Sequence, residues 1–174
     1  MKLLSIFLLS TLTFSSLSAK SNTELLGDVL AFGIPAMAYG TTLYKKDTQG
    51  QEQFYKAYGT TLGTAVALKY MVNEERPDKS NNRSFPSGHT ASAISGATFI
   101  HKRYGFKYAI LPYVGAIYTG YSRVHSDKHF THDVLAGAVI GGIASLYFVS
   151  SYKHIEVKPV AGVDYQGINI AYYW

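Results

Sequence analysis

Apolar residues run along this chain in long blocks separated by short polar stops, and those blocks set its elements. The first block, residues 3–14, is broken only by Ser and Thr, follows a basic Met1-Lys2 start and leads into a small polar stretch at 15–19. This is the order of a secretory signal with cleavage after Ser18 or Ala19, and the run is short for a membrane span. The other reading is an N-terminal anchor that stays uncleaved. Residues 24–44 are mostly apolar, hold Pro35 and end at Lys45-Lys46-Asp47. Residues 53–73 follow a break at Gly50 and stop before Arg76-Pro77, because proline disfavours a helical residue ahead of it. After a polar loop at 78–84, Pro86 stands where a helix begins, since its missing N–H costs nothing in a first turn. That helix runs to about His101 and closes on Lys102-Arg103, cations suited to the negative end of its dipole.

Two more helices are predicted over 106–121 and 132–152. Residues 134–152 carry no charge, enough to cross a bilayer or to lie at the centre of a bundle. Gly137, Gly141, Gly142 and Ala144 suit close helix packing in either setting. The tail then changes period. Residues 155–160 alternate, a turn-rich stretch passes Asp164 and Gly167, and 168–174 alternate again, with Ile168, Ile170, Tyr172 and Trp174 on one face. This predicts a hairpin covering one end of the bundle. Its aromatic end is like an outer-membrane strand, yet two strands close no barrel. The fold class expected is therefore all-α: a signal peptide at 1–19, a bundle of about five helices over 20–154, and a C-terminal β-hairpin over 155–174.

Composition narrows the function classes. The 174 residues allow one domain with a real core. Charged residues are only 16%, and 15 Tyr and 9 Phe load the chain with aromatic surface, which excludes disorder and charge-rich coiled coils. With no cysteine there is no disulfide, thiolate metal site or thiol nucleophile. A net charge of +5 suits phosphates or acidic lipid surfaces. No dense Lys/Arg stripe points to nucleic acid.

Three clusters carry chemistry. Lys69-x6-Arg76-Pro77 sets two cations on one face near a helix end, as solvated charges or as anion ligands. Pro86-Ser87-Gly88-His89-Thr90 lies at a helix start, where unpaired N–H groups make an anion site and Gly88 lets a ligand approach the backbone. Ser84 or Ser87 would serve equally as a simple helix cap. In Ser122-Arg123-x5-His129-x3-Asp133, the carboxylate four residues after the imidazole can reach its Nδ1–H, although such a pair standing alone is more often a surface contact. The bond to Nδ1 would leave Nε2 as a nucleophile or base. Three cations, a backbone nest and two histidines, one backed by an acid, suit covalent phosphoryl transfer.

These motifs, eleven specified positions in order between Lys69 and Asp133, resemble the signatures of the type-2 phosphatidic acid phosphatase superfamily. That superfamily takes in bacterial acid phosphatases, lipid phosphate phosphatases and vanadium haloperoxidases. The Asp-Val-Leu-Ala-Gly run from Asp133 is similar to it as well, whereas the tail is outside it. The resemblance implies that His129 attacks phosphorus to form a phosphohistidine and that Asp133 orients it, raising its pKa. It implies that His89 protonates the leaving alkoxide and then activates water. Lys69, Arg76 and Arg123 would hold the phosphoryl oxygens, with Ser87 and the Gly88 N–H completing the cradle. Neither metal nor cofactor is implied. His125 and His132 fall between motif positions as supporting or surface residues, and His101 and His154 are read as structural.

Membrane members of that family have six spans, against five helices visible after the first block. Asp28, Lys56, Lys69 and Lys107 also interrupt the apolar runs. Either the first block is retained as a sixth helix, or a compact exported domain lies against a membrane, the second being the expectation. The function expected is an exported, metal-independent phosphatase of the acid or lipid phosphate phosphatase type. It would be periplasmic or membrane-associated, with its site facing the periplasm. Its substrate would be a phosphate monoester or diphosphate, of a lipid such as phosphatidate, isoprenyl diphosphate or lipid A, or of a small ester. The alternatives are a vanadate-dependent haloperoxidase and a non-catalytic envelope lipid-binding protein.

Overall fold

The computed structural model describes residues 21–152, 154–162 and 166–173. The segment read as a signal lies outside the described residues. Five helices and one hairpin follow: α1 Asn22–Tyr44, α2 Thr48–Val72, α3 Gly88–Tyr104, α4 Phe106–His125, α5 Thr131–Phe148, β1 His154–Ala161 and β2 Gln166–Tyr173. Ser21 caps α1 by accepting from the Glu24 N–H at 3.2 Å, with an acid in the first turn where the dipole favours it. The helices run up and down, so the starts of α1, α3 and α5 meet the ends of α2 and α4 at one end of the bundle.

Helix α3 is the axis, packed against the other four. Its inward residues are small and partly polar, which lets neighbours come close while hydroxyls satisfy one another. Ser92 Oγ donates to the Ala31 carbonyl at 2.6 Å and pairs with Tyr58 at 2.8 Å; Ser145 Oγ donates to the Ser95 carbonyl at 2.9 Å. The tightest approach is α5 on α3. A Cβ at Gly141 would overlap the Ala91 carbonyl oxygen and lie 2.9 Å from the Ser95 nitrogen, and one at Gly137 would overlap the Ser87 carbonyl. Both obstacles are backbone and cannot rotate away. Gly142 has open contacts and does not share this duty. Gly141→Ala should therefore push the two helices apart and cost about 1–3 kcal/mol, read as a lowered Tm, whereas Gly142→Ala should leave Tm nearly unchanged.

Two boundaries differ from the sequence reading for one reason. Gly50 does not break the chain: it lies in the first turn of α2, where Asp47 caps it by accepting from the Gly50 N–H at 2.9 Å. Asp47 is buried against Arg103, whose Nε donates to Oδ2 at 2.7 Å and whose Nη1 donates to the Ser150 carbonyl at 3.0 Å. Arg103 is thus a clip joining α2, α3 and the end of α5, and α5 stops at Phe148 because the next backbone turns to meet it. At the other end, α4 continues past Tyr121 to His125, and α3 starts at Gly88 behind a Ser87 cap rather than at Pro86.

The strands pair antiparallel, Val157 opposite Ile170. Ile168 and Ile170 remain 69% and 67% exposed, so that face does not cover the bundle as expected. The bundle's own exterior is apolar at helical spacing. Ile110, Val114, Ile117 and Tyr121 form an outward stripe on α4, and Leu135, Val139, Ile143 and Leu146 form one on α5. By length and composition, α5 is a candidate membrane span.

Candidate active site

Two loops close the end of the bundle where the predicted chemistry gathers. Residues 73–87 join α2 to α3, and 126–130 join α4 to α5. They are stitched together: the Asp78 N–H donates to the Asp127 carbonyl at 3.1 Å, and Lys128 Nζ donates to Asp78 Oδ2 at 2.9 Å. Each loop is also tied to a helix end, Ser87 N–H to the Asp133 carbonyl at 3.0 Å and His129 N–H to the Arg123 carbonyl at 3.2 Å.

His129 is buried, 3% exposed, at the end of the second loop. Its Nδ1 lies 3.4 Å from Asp133 Oδ2 and 3.5 Å from Ser84 Oγ. The same Oδ2 accepts from Ser84 Oγ at 2.5 Å and from the Phe130 N–H at 2.9 Å. Asp133 is fully buried in the first turn of α5, where the helix dipole favours its charge. With Nδ1 turned to these partners, Nε2 is the nitrogen left for chemistry. Burial, then the charges of Lys69 and Arg76, push the His129 pKa down to about 4, against an upward pull from Asp133. The expectation that Asp133 raises it holds for that one interaction and not for the sum, because desolvation and two cations outweigh one carboxylate.

The cations divide between two tasks. Lys69 Nζ donates to the carbonyls of Pro86 at 2.7 Å, Arg83 at 2.9 Å and Ser84 at 3.3 Å, so it fastens the first loop while lending its charge to His129. The Arg76 Nε is buried without a hydrogen-bond partner among the described residues. A buried guanidinium N–H left unmatched costs stability, and an anion's oxygen is what it lacks. Ser87 is engaged as the α3 cap, its Oγ 3.4 Å from the Thr90 N–H and 3.0 Å from Thr90 Oγ1. A Cβ on Gly88 would meet only Lys69 Cε, at 3.9 Å, so the space above that backbone is open to a ligand.

His89 and Arg123 are joined by a residue that the motifs do not contain. Asp28 of α1 lies 3.2 Å from His89 Nε2 and 2.7 Å from Arg123 Nη1. Arg123 is 3% exposed, donates a further bond to the Glu24 carbonyl at 2.8 Å and so pins the start of α1 to the end of α4. In the sequence Asp28 is legible only as a charge interrupting an apolar run. That was the usable signal, since a lone carboxylate on an apolar helix needs a cationic partner. Of the other histidines, His125 stacks on Tyr121 at the surface, and His101 bonds Tyr113 at 3.1 Å away from the site. The side chain of His154 lies outside the described residues.

The arrangement holds a neutral imidazole backed by a buried carboxylate, an unmatched guanidinium, an open helix start and a second histidine with its own acid. A family model described as the PAP2 superfamily matches residues 5–155. The Lipid A 1-phosphatase of Porphyromonas gingivalis is 42% identical over 82 residues, 45% of this chain and only 18% of that protein's length. The Lipid A 4'-phosphatase of Helicobacter pylori is 29% identical over 169 residues, 87% of this chain and 85% of that protein. The crystal structure of Aquifex aeolicus LpxE matches with a TM-score of 0.55 at 23% identity, covering 72% of this chain and 91% of that one, a likeness of fold. The family match takes in all five helices and both site loops, and on that extent the chain belongs to the PAP2 superfamily.

Proposed function

We propose that this protein is a lipid phosphatase that removes phosphate from a lipid of the lipid A type through a phosphohistidine on His129. The single observation that carries the reading is the buried, unmatched Arg76 Nε together with a buried, neutral His129 backed by Asp133. Such a guanidinium fits a phosphoryl oxygen, and such an imidazole fits attack on phosphorus. In the first step His129 Nε2 forms the N–P bond as the P–O bond to the lipid breaks, and His89 gives its proton to the departing oxygen. In the second, His89 takes a proton from water, the hydroxide attacks phosphorus, and the N–P bond breaks. Asp133 steadies the positive imidazole between the steps, and Asp28 holds His89 ready for both transfers. Lys69, Arg76, Arg123 and the Gly88 N–H offset the charge on the phosphoryl oxygens. The lipid substrate agrees with the names of both lipid A phosphatase relatives and with the outward apolar stripes of α4 and α5.

The proposed function includes a direction. Helix α1 begins at the site end, so a first segment acting as a signal, cleaved or retained, would deliver the chain to the far side of the membrane beside the active site. The site then faces away from the cytoplasm.

The experiment is phosphate release from lipid A, phosphatidate and isoprenyl diphosphate by the purified chain in detergent, with EDTA and with vanadate. Release is expected to persist in EDTA and to stop with vanadate, whose five-coordinate form matches the transition state. A requirement for added magnesium would overturn the mechanism. The pH profile adds a second check. His129 attacks only when neutral, and a pKa of about 4 keeps it neutral through the range where an ordinary histidine protonates. The acid limb of kcat/KM set by His129 should therefore fall near pH 4, with activity retained at pH 5–6 and lost below. A limb near 6.5 attributable to His129 would contradict the buried site.

A further inference from the structure

On the rim of the site lies a cluster of which the reaction uses only Asp133. Glu74 follows α2, His132 is the second residue of α5, and both face the far oxygen of Asp133. The Nε2 of His132 lies 2.8 Å from Glu74 Oε1 and 3.2 Å from Asp133 Oδ1. The imidazole is held in place by stacking on Phe130, with centroids 5.4 Å apart, and on Phe85 at 6.3 Å. All three ligand-capable atoms lie within 4.8 Å of one another. An imidazole Nε2 carries one hydrogen, and here it is directed to Glu74. Asp133 Oδ1 is consequently buried without a hydrogen-bond partner, on a side chain that is 0% exposed. A fully buried carboxylate oxygen aimed at a second carboxylate is costly unless a cation comes between them.

We propose that Glu74, His132 and Asp133 form an inhibitory site for a divalent transition-metal ion of the zinc class. One imidazole nitrogen and two carboxylate oxygens suit such an ion, whose bonds of about 2.0–2.1 Å separate neighbouring ligands by about 3.3 Å. The observed spacings of 2.8 and 3.2 Å need only a slight opening. His132, with 58% of its side chain exposed, leaves the ion a route in and a position for water. The two oxygens of Asp133 share one charge. Oδ2 serves His129, so an ion on Oδ1 draws away the charge that steadies the phosphorylated imidazole. Inhibition rests on the phosphatase reading given above; binding does not.

The test uses the full purified chain in phosphate-free buffer, with Zn2+ alone as the probe. Calorimetric titration is expected to show one saturable Zn2+ per chain, with affinity lowered at least tenfold by His132→Gln and by Glu74→Gln. His129→Ala, which keeps the three ligands and loses the catalytic imidazole, should bind Zn2+ like the wild type. Phosphate release should fall as the site fills, recover with EDTA, and need at least tenfold more Zn2+ to fall in the two ligand variants. Their activity in EDTA should stay within a few-fold of wild type. No saturable binding, or binding that both ligand variants leave unchanged, would overturn the site. Loss of binding in His129→Ala alone would place the ion on the catalytic histidine and overturn it equally. A chain that releases no phosphate in EDTA would sink the phosphatase reading, while the isotherms would still decide the site.

Discussion

Replacing His129 by alanine is expected to lower kcat by four to six orders of magnitude, on the order seen when a covalent nucleophile is removed, while the bundle stays folded. The imidazole is buried, yet its contribution to packing is small: its neighbours are the Ser84 hydroxyl at 3.5 Å and Asp133 at 3.4 Å, outside both apolar clusters. When it goes, Asp133 keeps the Ser84 hydroxyl and the Phe130 N–H. The loop keeps its backbone bonds to the Arg123 carbonyl. Stability should change by only about 1 kcal/mol. Two measurements separate the outcomes. Rapid quenching with a phosphorus-labelled substrate should trap label on the wild type and none on the variant, and circular dichroism should show equal helix content. Turnover within tenfold of wild type would remove His129 from the nucleophile's role whatever the label shows.

Much of this site is legible in the sequence because its parts are local. His129 and Asp133 are four residues apart at a helix start, and Ser87 to His89 are contiguous, so spacing alone predicts their geometry. The five helices are legible for the same reason: each is an apolar block with a polar stop. Contacts made across the fold leave no local trace. Asp28 meets Arg123 across 95 positions, and nothing in the spacing of either residue announces the other. Asp47 reads as part of a polar stop and is in fact a buried cap held by Arg103, so the Gly50 break was misplaced. Ser84 reads as an optional cap and instead donates to the Asp133 carboxylate. The sign of the His129 shift is hidden from the sequence for a related reason. The Asp133 contribution is visible at four residues' distance, whereas burial and the approach of Lys69 and Arg76 exist only once α2 and the first loop are folded over it.

Asp133→Asn is expected to reduce kcat by a hundredfold or more with little change in KM, and it isolates charge from shape. In the wild type, Oδ2 accepts from Ser84, from the Phe130 N–H and from His129, while Oδ1 faces His132 and Glu74. An asparagine would settle with its oxygen in the Oδ2 position, because all three groups there donate, and with its NH2 toward Glu74, which accepts. The hydrogen bond to Nδ1 and the tautomer of His129 then survive, and the negative charge alone is lost. That charge matters little to resting His129, already neutral because its pKa lies near 4. In the proposed mechanism it matters when Nε2 bonds to phosphorus and the ring becomes cationic near Lys69 and Arg76. Loss of stabilisation at that stage raises the barrier without touching ground-state binding, so the effect should fall on kcat. In the proposed site the Arg76 guanidinium and the charges of Lys69 and Arg123 are untouched by the substitution, leaving KM within a few-fold. Steady-state kinetics on one lipid substrate give both parameters. An unchanged kcat would reduce Asp133 to a helix-start residue, and a large rise in KM with kcat intact would mean that it shapes the binding loop instead of serving the nucleophile.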